Sequence, residues 1–190
     1  MKKIIFFLLI STSLLSAQNT KEAAIANKQH ELRFDVLSVV LDQKYSFSYE
    51  YFTKGDFSFG LNANFSNSKK INEDFDNGYR NNVPKYEFNP YARYALSKSK
   101  SRFYFIEVFG SYNGGDFKEI LRQTNQGVGF YTTKKSTYTD FALGGSLGYK
   151  MYFKECIALE FLVGFGKNLT NTDRSPDVIS RVGLNLGYRF

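Results

Sequence analysis

The sequence predicts an all-β chain, an eight-stranded antiparallel up-and-down transmembrane β-barrel, on three observations. Residues 180–190 place Val182, Leu184, Leu186, Tyr188 and Phe190 on one face and Arg181, Gly183, Asn185, Gly187 and Arg189 on the other. That period of two belongs to a strand and not to a helix. Seven earlier segments repeat the alternation, and after the first hairpin their connections run short and long in turn, as the two rims of a membrane barrel do. The minor face of these strands is Ser, Gly, Asn and charged residues. It is too small and polar for the dry core of a soluble barrel, so the greasy face is expected to meet lipid.

Residues 1–17 read as a secretory signal peptide: Lys2 and Lys3, an apolar run over residues 4–15, then Ser16-Ala17 before the cut. Residues 18–30 are polar and Ala-rich and are expected to be a mobile periplasmic segment. The barrel is assigned to residues 31–190. Its first strand, residues 31–41, sets Leu32, Phe34, Val36 and Val40 against Arg33 and Asp35, and residues 42–44 connect it to the second.

That second strand, residues 45–52, alternates Tyr45, Phe47, Tyr49 and Tyr51 with Ser46, Ser48 and Glu50. A turn over residues 53–56, in which Gly55 can take a positive φ, leads to the third strand, residues 57–65. Residues 66–83 show no periodicity and read as a long loop. The fourth strand, residues 85–96, carries Tyr86, Phe88, Ala92 and Tyr94 opposite Glu87, Asn89 and Arg93. Pro90 cannot donate to a ladder and a closed barrel has no free edge, so a bulge or local break is expected there.

Residues 97–101 turn into the fifth strand, residues 102–112, which is apolar on both sides. Residues 113–136 form the longest connection, with a hairpin tip at Asn125-Gln126-Gly127 that would let strands five and six run on as a protruding ribbon. The sixth strand spans residues 137–152 and the seventh starts at Ile157, joined by a turn at residues 153–155. The loop over residues 167–177 precedes the closing strand. An even strand number puts both termini on the short-turn rim.

Glu50, Arg93, Glu107, Lys150, Glu160, Arg181 and Arg189 all fall on the inward face. Acids and bases confined in a narrow lumen should pair into a network that plugs it, since an unpaired buried charge is costly. A narrow path for small solutes or ions is the alternative use of the same residues. Two basic doublets, Lys69-Lys70 and Lys134-Lys135, without a longer run argue against nucleic-acid binding, and a mature charge of +5 is modest. Cys156 is the only cysteine, so no intramolecular disulfide forms.

The leader, the Pro90-Tyr91-Ala92-Arg93-Tyr94 stretch and the terminal strand ending at Tyr188 and Phe190 resemble the small outer-membrane barrels of the OmpA transmembrane-domain and OmpX type. The opening over residues 31–65, with a strand ending Tyr-Glu-Tyr, resembles a barrel family of unknown function common in the Bacteroidetes. The resemblance implies a monomeric Gram-negative outer-membrane protein, one chain closing one barrel, in contact with membrane lipids, lipopolysaccharide and the barrel insertion machinery. It implies that Tyr188 and Phe190 are the signal that machinery reads, and it leaves membrane integrity, surface adhesion and small-solute passage open. Barrel lipases, deacylases and acyltransferases need a His beside a Ser, Asp or Glu. The one histidine, His30, precedes the first strand on the rim of the termini. The reading is therefore a structural or surface-interaction protein without catalysis, metal or cofactor, whose loop residues Asn125, Phe130 and Tyr131 would meet a surface partner. A soluble exported barrel binding an apolar ligand is the other alternative.

Overall fold

The computed structural model describes residues 25, 27–42, 44–97, 99–125 and 128–190. The leader, the start of the N-terminal segment, and Gln126 and Gly127 of the hairpin tip lie outside the described residues. Eight strands close in chain order: β1 (His30–Asp35), β2 (Lys44–Phe52), β3 (Phe57–Ser66), β4 (Asn82–Ala95), β5 (Arg102–Asn125), β6 (Val128–Phe153), β7 (Ile157–Asn168) and β8 (Val178–Arg189). All neighbours are antiparallel, and β8 pairs with β1 from Glu31↔Arg189 to Asp35↔Asn185. Phe190 extends this seam, its N–H donating to the His30 carbonyl at 2.8 Å and its own carbonyl accepting from His30 N at 3.0 Å.

The alternation read from the sequence is the alternation of the wall. Tyr49, Phe59, Ile106, Leu147, Phe161 and Leu186 stand exposed on the outside, while Ser48, Asn62, Glu107, Ser146, Glu160 and Asn185 are buried inside. No helix among the described residues is long and apolar enough to cross a membrane; the crossing is made by strands, whose backbone groups pair around the closed wall without water. The doubly apolar fifth strand turns Tyr104, Ile106, Val108 and Tyr112 outward and Phe103, Phe105 and Phe109 inward.

Those inward rings correct one expectation, that the minor face is wholly small and polar. Phe52, Phe103, Phe105 and Leu162 form one buried apolar cluster, and Tyr91, Phe109, Ala142 and Ile179 a second. Room for them comes from glycine: a Cβ on Gly60 would collide with the Tyr91 ring, and one on Gly148 with the Phe105 ring. Neighbouring strands thus interlock, ring over glycine.

Four further differences have local causes. The first strand stops at Asp35 and continues as helix α1 (Val36–Asp42), because the Asp35 carboxylate caps it. Asp35 Oδ1 accepts from Leu37 N at 3.0 Å and Ser38 N at 3.2 Å, and Oδ2 from Ser38 Oγ at 2.6 Å. The long third loop contains helix α2 (Lys69–Asp76), started by Ser68 Oγ accepting from Ile71 N and anchored by the buried Phe75.

The local break expected at Pro90 is present on the β5 side without a bulge: Phe88↔Tyr112 is followed in the same register by Tyr91↔Phe109, the two pairs between them being missing from the ladder, and the register shift lies between Pro84 and Tyr86. Gly55 is not the positive-φ residue of its turn. Left-handed backbone occurs at Gly78 and, in the β6–β7 turn, at Lys154 (φ 47°) and Glu155 (φ 63°). The N-terminal segment is held at its end: Lys28 O accepts from Arg189 Nε at 2.8 Å, Gln29 O accepts from Phe52 N at 2.8 Å, and Ile25 is buried.

Candidate functional site

The lumen is divided in depth. Its half nearer the termini is filled by four bases and four acids, Arg33, Arg93, Lys150 and Arg181 against Glu31, Glu50, Glu107 and Glu160. Strand alternation points each of them inward from seven different strands. Arg93 is the hub, reaching Glu50 at 2.8 Å, Glu160 at 2.8 Å and, through Nε, Glu107 at 2.7 Å. Lys150 Nζ lies 2.7 Å from Glu31, 2.8 Å from Glu50 and 3.0 Å from Glu160. Arg181 closes on Glu107 at 2.6 Å.

The remaining lone pairs are used as well. Ser58 Oγ donates to Glu50, Ser146 Oγ to Glu107, Asn185 Nδ2 to Glu160 and Tyr152 Oη to Glu31. Because the charges balance and nearly every oxygen has a donor, the cluster avoids the heavy cost of unpaired buried charge. Glu31, Glu50 and Glu160 bring carboxylate oxygens within 4.8 Å of one another, a spacing that a cation could bridge. Arg33, Arg93 and the Lys150 ammonium already occupy that centre.

Of the lumen residues selected from sequence, six join this network and Arg189 does not. Arg189 is buried, but it donates to Lys28 O and to Tyr152 Oη at 2.9 Å and lies 3.6 Å from the centre of the Phe52 ring. It seals the inner rim. Glu31, Arg33, Tyr91 and Tyr152 were missed. Arg33 ion-pairs with Glu31, Glu50 and Glu160, and its Nη2 donates to Tyr91 Oη at 2.5 Å. The signal for Arg33 was its place on the polar face of the first strand. For the two tyrosines there was none beyond falling in the inward phase.

Tyr188 and Phe190 are exposed on the outer surface, and Phe190 stacks on Tyr188 and on His30. His30 Nδ1 is 2.7 Å from Tyr49 Oη within this ring cluster. At the other rim β5 and β6 leave the barrel. After Asn82↔Phe117, the last pair of β4 with β5, they run on alone for eight pairs, Lys118↔Lys135 to Asn125↔Val128. Phe130 and Tyr131 both lie on this ribbon and are exposed, as are Ile120 and Val128. Its base is clamped by Asp116, which pairs with Lys85 at 2.7 Å and Lys135 at 3.1 Å, and by Lys118 Nζ, which donates to the Phe75 carbonyl of α2.

Asp140, just outside Phe141 on the same rim, organises the β7–β8 loop. Its carboxylate accepts from Thr170 N at 2.8 Å, Asn171 N at 3.0 Å, and the hydroxyls of Thr170 and Ser175 at 2.5 Å each. Burial alone would raise its pKa; the donated hydrogen bonds from Ser175, Thr170 and Asn171 prevail and hold it well below the usual carboxylate range.

No protein-family model and no curated protein matches the chain. Among solved structures, the N-terminal β-barrel domain of Pseudomonas aeruginosa OprF is similar over 86% of this chain and 98% of its own, at 13% identity and a TM-score of 0.54. Neisserial surface protein A (NspA) is similar over 85% of this chain and 93% of its own, at 14% identity and a TM-score of 0.50. At such identities the likeness is one of fold. With its closed antiparallel wall, apolar outside and ion-paired inside, the chain has the fold of the small eight-stranded outer-membrane β-barrels.

Proposed function

We propose that the protein is a surface-interaction barrel of the Gram-negative outer membrane, exported by the leader over residues 1–17, and that the β5–β6 ribbon is the element that meets its partner. The observation that carries this reading is the ribbon itself. Eight cross-strand pairs at about 3.3 Å per residue raise it by roughly 25 Å beyond the last pair with β4. Its apolar residues are exposed along it; Tyr131 is 73% and Ile120 63% accessible. They do not pack over the barrel mouth. Its strand edges have hydrogen-bonding groups free to add another strand.

A non-catalytic role is supported by the placement of His30 in the aromatic cluster of the inner rim. The likeness to NspA, described as a surface protein, agrees with the reading. The test compares cells displaying the full chain with cells displaying a chain whose residues 118–135 are replaced by Asn-Gly, scored for attachment to films of lipopolysaccharide. Loss of attachment with unchanged heat-modifiable gel migration supports the proposal. Equal attachment by the two, or none by the full chain, overturns it.

A further inference from the structure

Above the ion-pair network the lumen opens into a vestibule of about 730 Å³, floored by Arg93 and Glu160. Its wall is incomplete. Because β1 gives way to α1 at Val36, the β1–β8 ladder stops at Asp35↔Asn185 and the β1–β2 ladder at Phe34↔Phe47. Residues 178–184 of β8 therefore have β7 on one side and no strand on the other. Helix α1 stands in the gap between β8 and β2. A helix uses its own N–H and C=O groups internally and cannot continue a β-ladder; Leu184 N is met instead by Asp35 Oδ1 at 3.1 Å.

The vestibule reaches through this gap. It is lined by the lumen-facing Arg181 and Gly183 of β8 and also by Val178 and Val182, which belong to the lipid-facing side of the same strand. Val40 of α1, 73% exposed, lines it from across the gap. A sealed wall does not present both faces of one strand to one cavity.

The chemistry of the two ends differs. Toward the membrane the gap is bordered by valines. Inside, the vestibule is polar, with Asn64 Oδ1 buried and without a hydrogen-bond partner. Six bases and four acids line it. Among the acids, Asp35, Glu87 and Glu160 are already engaged by donors of the protein, whereas Lys70 and Arg80 have no ion-pair partner among the described residues. The volume lies in the range of small-molecule sites, about 300–1,000 Å³.

We propose that the gap between β8 and α1 is a lateral portal through which the vestibule binds an anionic single-chain amphiphile. The charged head sits among the vestibule's bases, and the acyl chain leaves between Val182 and Val40 into the surrounding lipid. This site is separate from the ribbon and stands or falls independently of it.

The chain contains no tryptophan, which makes a single introduced indole an unambiguous reporter. Ser46→Trp places it on the vestibule wall beside the gap, with Ser66→Trp as a second position should the first fail to fold; Val163→Trp reports from the lipid face. Each folded variant, in nanodiscs of unbrominated zwitterionic lipid, is titrated with 9,10-dibromostearate. The expected result is a saturable loss of the vestibule indole's emission, relieved by stearate and not by methyl stearate. Filling the gap with Ser180→Phe and Val182→Phe should abolish that saturable component while heat-modifiable migration persists. Quenching that rises without saturation in parallel with Val163→Trp, that survives the filled gap, or that methyl stearate relieves equally would overturn the proposal.

Discussion

At the residue scale, single carboxylates decide local structure on the outer rim. Asp140 is the clearest. Its pKa is lowered in the folded protein, so its contribution to stability is complete above the unfolded value near 3.9 and is lost as pH falls through the lower folded value. Amide shifts of Thr170 and Asn171, followed by NMR in micelles, should stay constant from neutral pH down to about 4 and move only in stronger acid. Asp140→Ala should leave those donors unmet, cost about 1–3 kcal/mol and disorder the β7–β8 loop at every pH. In the lumen, Lys150→Met should cost about 3–5 kcal/mol in denaturant titrations of the detergent-folded barrel, because it strands Glu31 and Glu50 in a buried site. Gly60→Val should force the Tyr91 ring from its seat and with it the bond to Arg33, an overpacking cost of about 1–3 kcal/mol.

At the scale of elements, the closing strand and the ribbon make opposite forecasts. Phe190 supplies two hydrogen bonds of the β1–β8 seam and a ring in the rim cluster. Phe130 stands on the ribbon, far from the seam in the ladder. Deleting Phe190, or Phe190→Ser, should reduce insertion severely, whereas Phe130→Ser should leave surface levels unchanged; equal levels of the two variants, measured by surface labelling, would remove Phe190 from the assembly signal. The elements also show where sequence patterns stop being sufficient. Leu32, Phe34, Val36 and Val40 continue one alternation, yet the chain turns helical after Asp35 because a carboxylate there meets two helix N–H groups and a serine hydroxyl. In α2 the only trace was Ser68 ahead of Ile71 and Phe75, three residues in a polar stretch.

At the scale of the whole molecule, the depth of the plug sets the permeability. Four balanced ion pairs' worth of charge, with Arg189 over Phe52 beneath them, fill the lumen from the inner rim to Arg93. Planar-bilayer recording should therefore show negligible conductance. Stable single-channel steps in the native protein, altered by Glu160→Gln or Arg93→Gln, would replace the surface-interaction reading with a pore. The apolar exterior gives a second forecast: the protein should stay in the membrane fraction through a carbonate wash, and release into the soluble fraction would contradict an integral barrel.

The sequence by itself determined the fold class, the strand count, the inward and outward face of each strand and the rim on which the chain ends, because a period of two against lipid leaves one pairing phase that hides no charge in hydrocarbon. It also identified Glu50, Arg93, Glu107, Lys150, Glu160 and Arg181 as lumen residues. Which of them touch was decided only by the closed barrel, since the stagger of eight strands brings Arg93 to Glu50, Glu107 and Glu160, residues separated by 43, 14 and 67 positions in the chain. The same holds for the vestibule and its gap. The pattern around Asp35 reads as a strand, and the opening exists because a cap four atoms long wins over the ladder at that one place, a competition between local hydrogen bonds and tertiary pairing that no periodicity records.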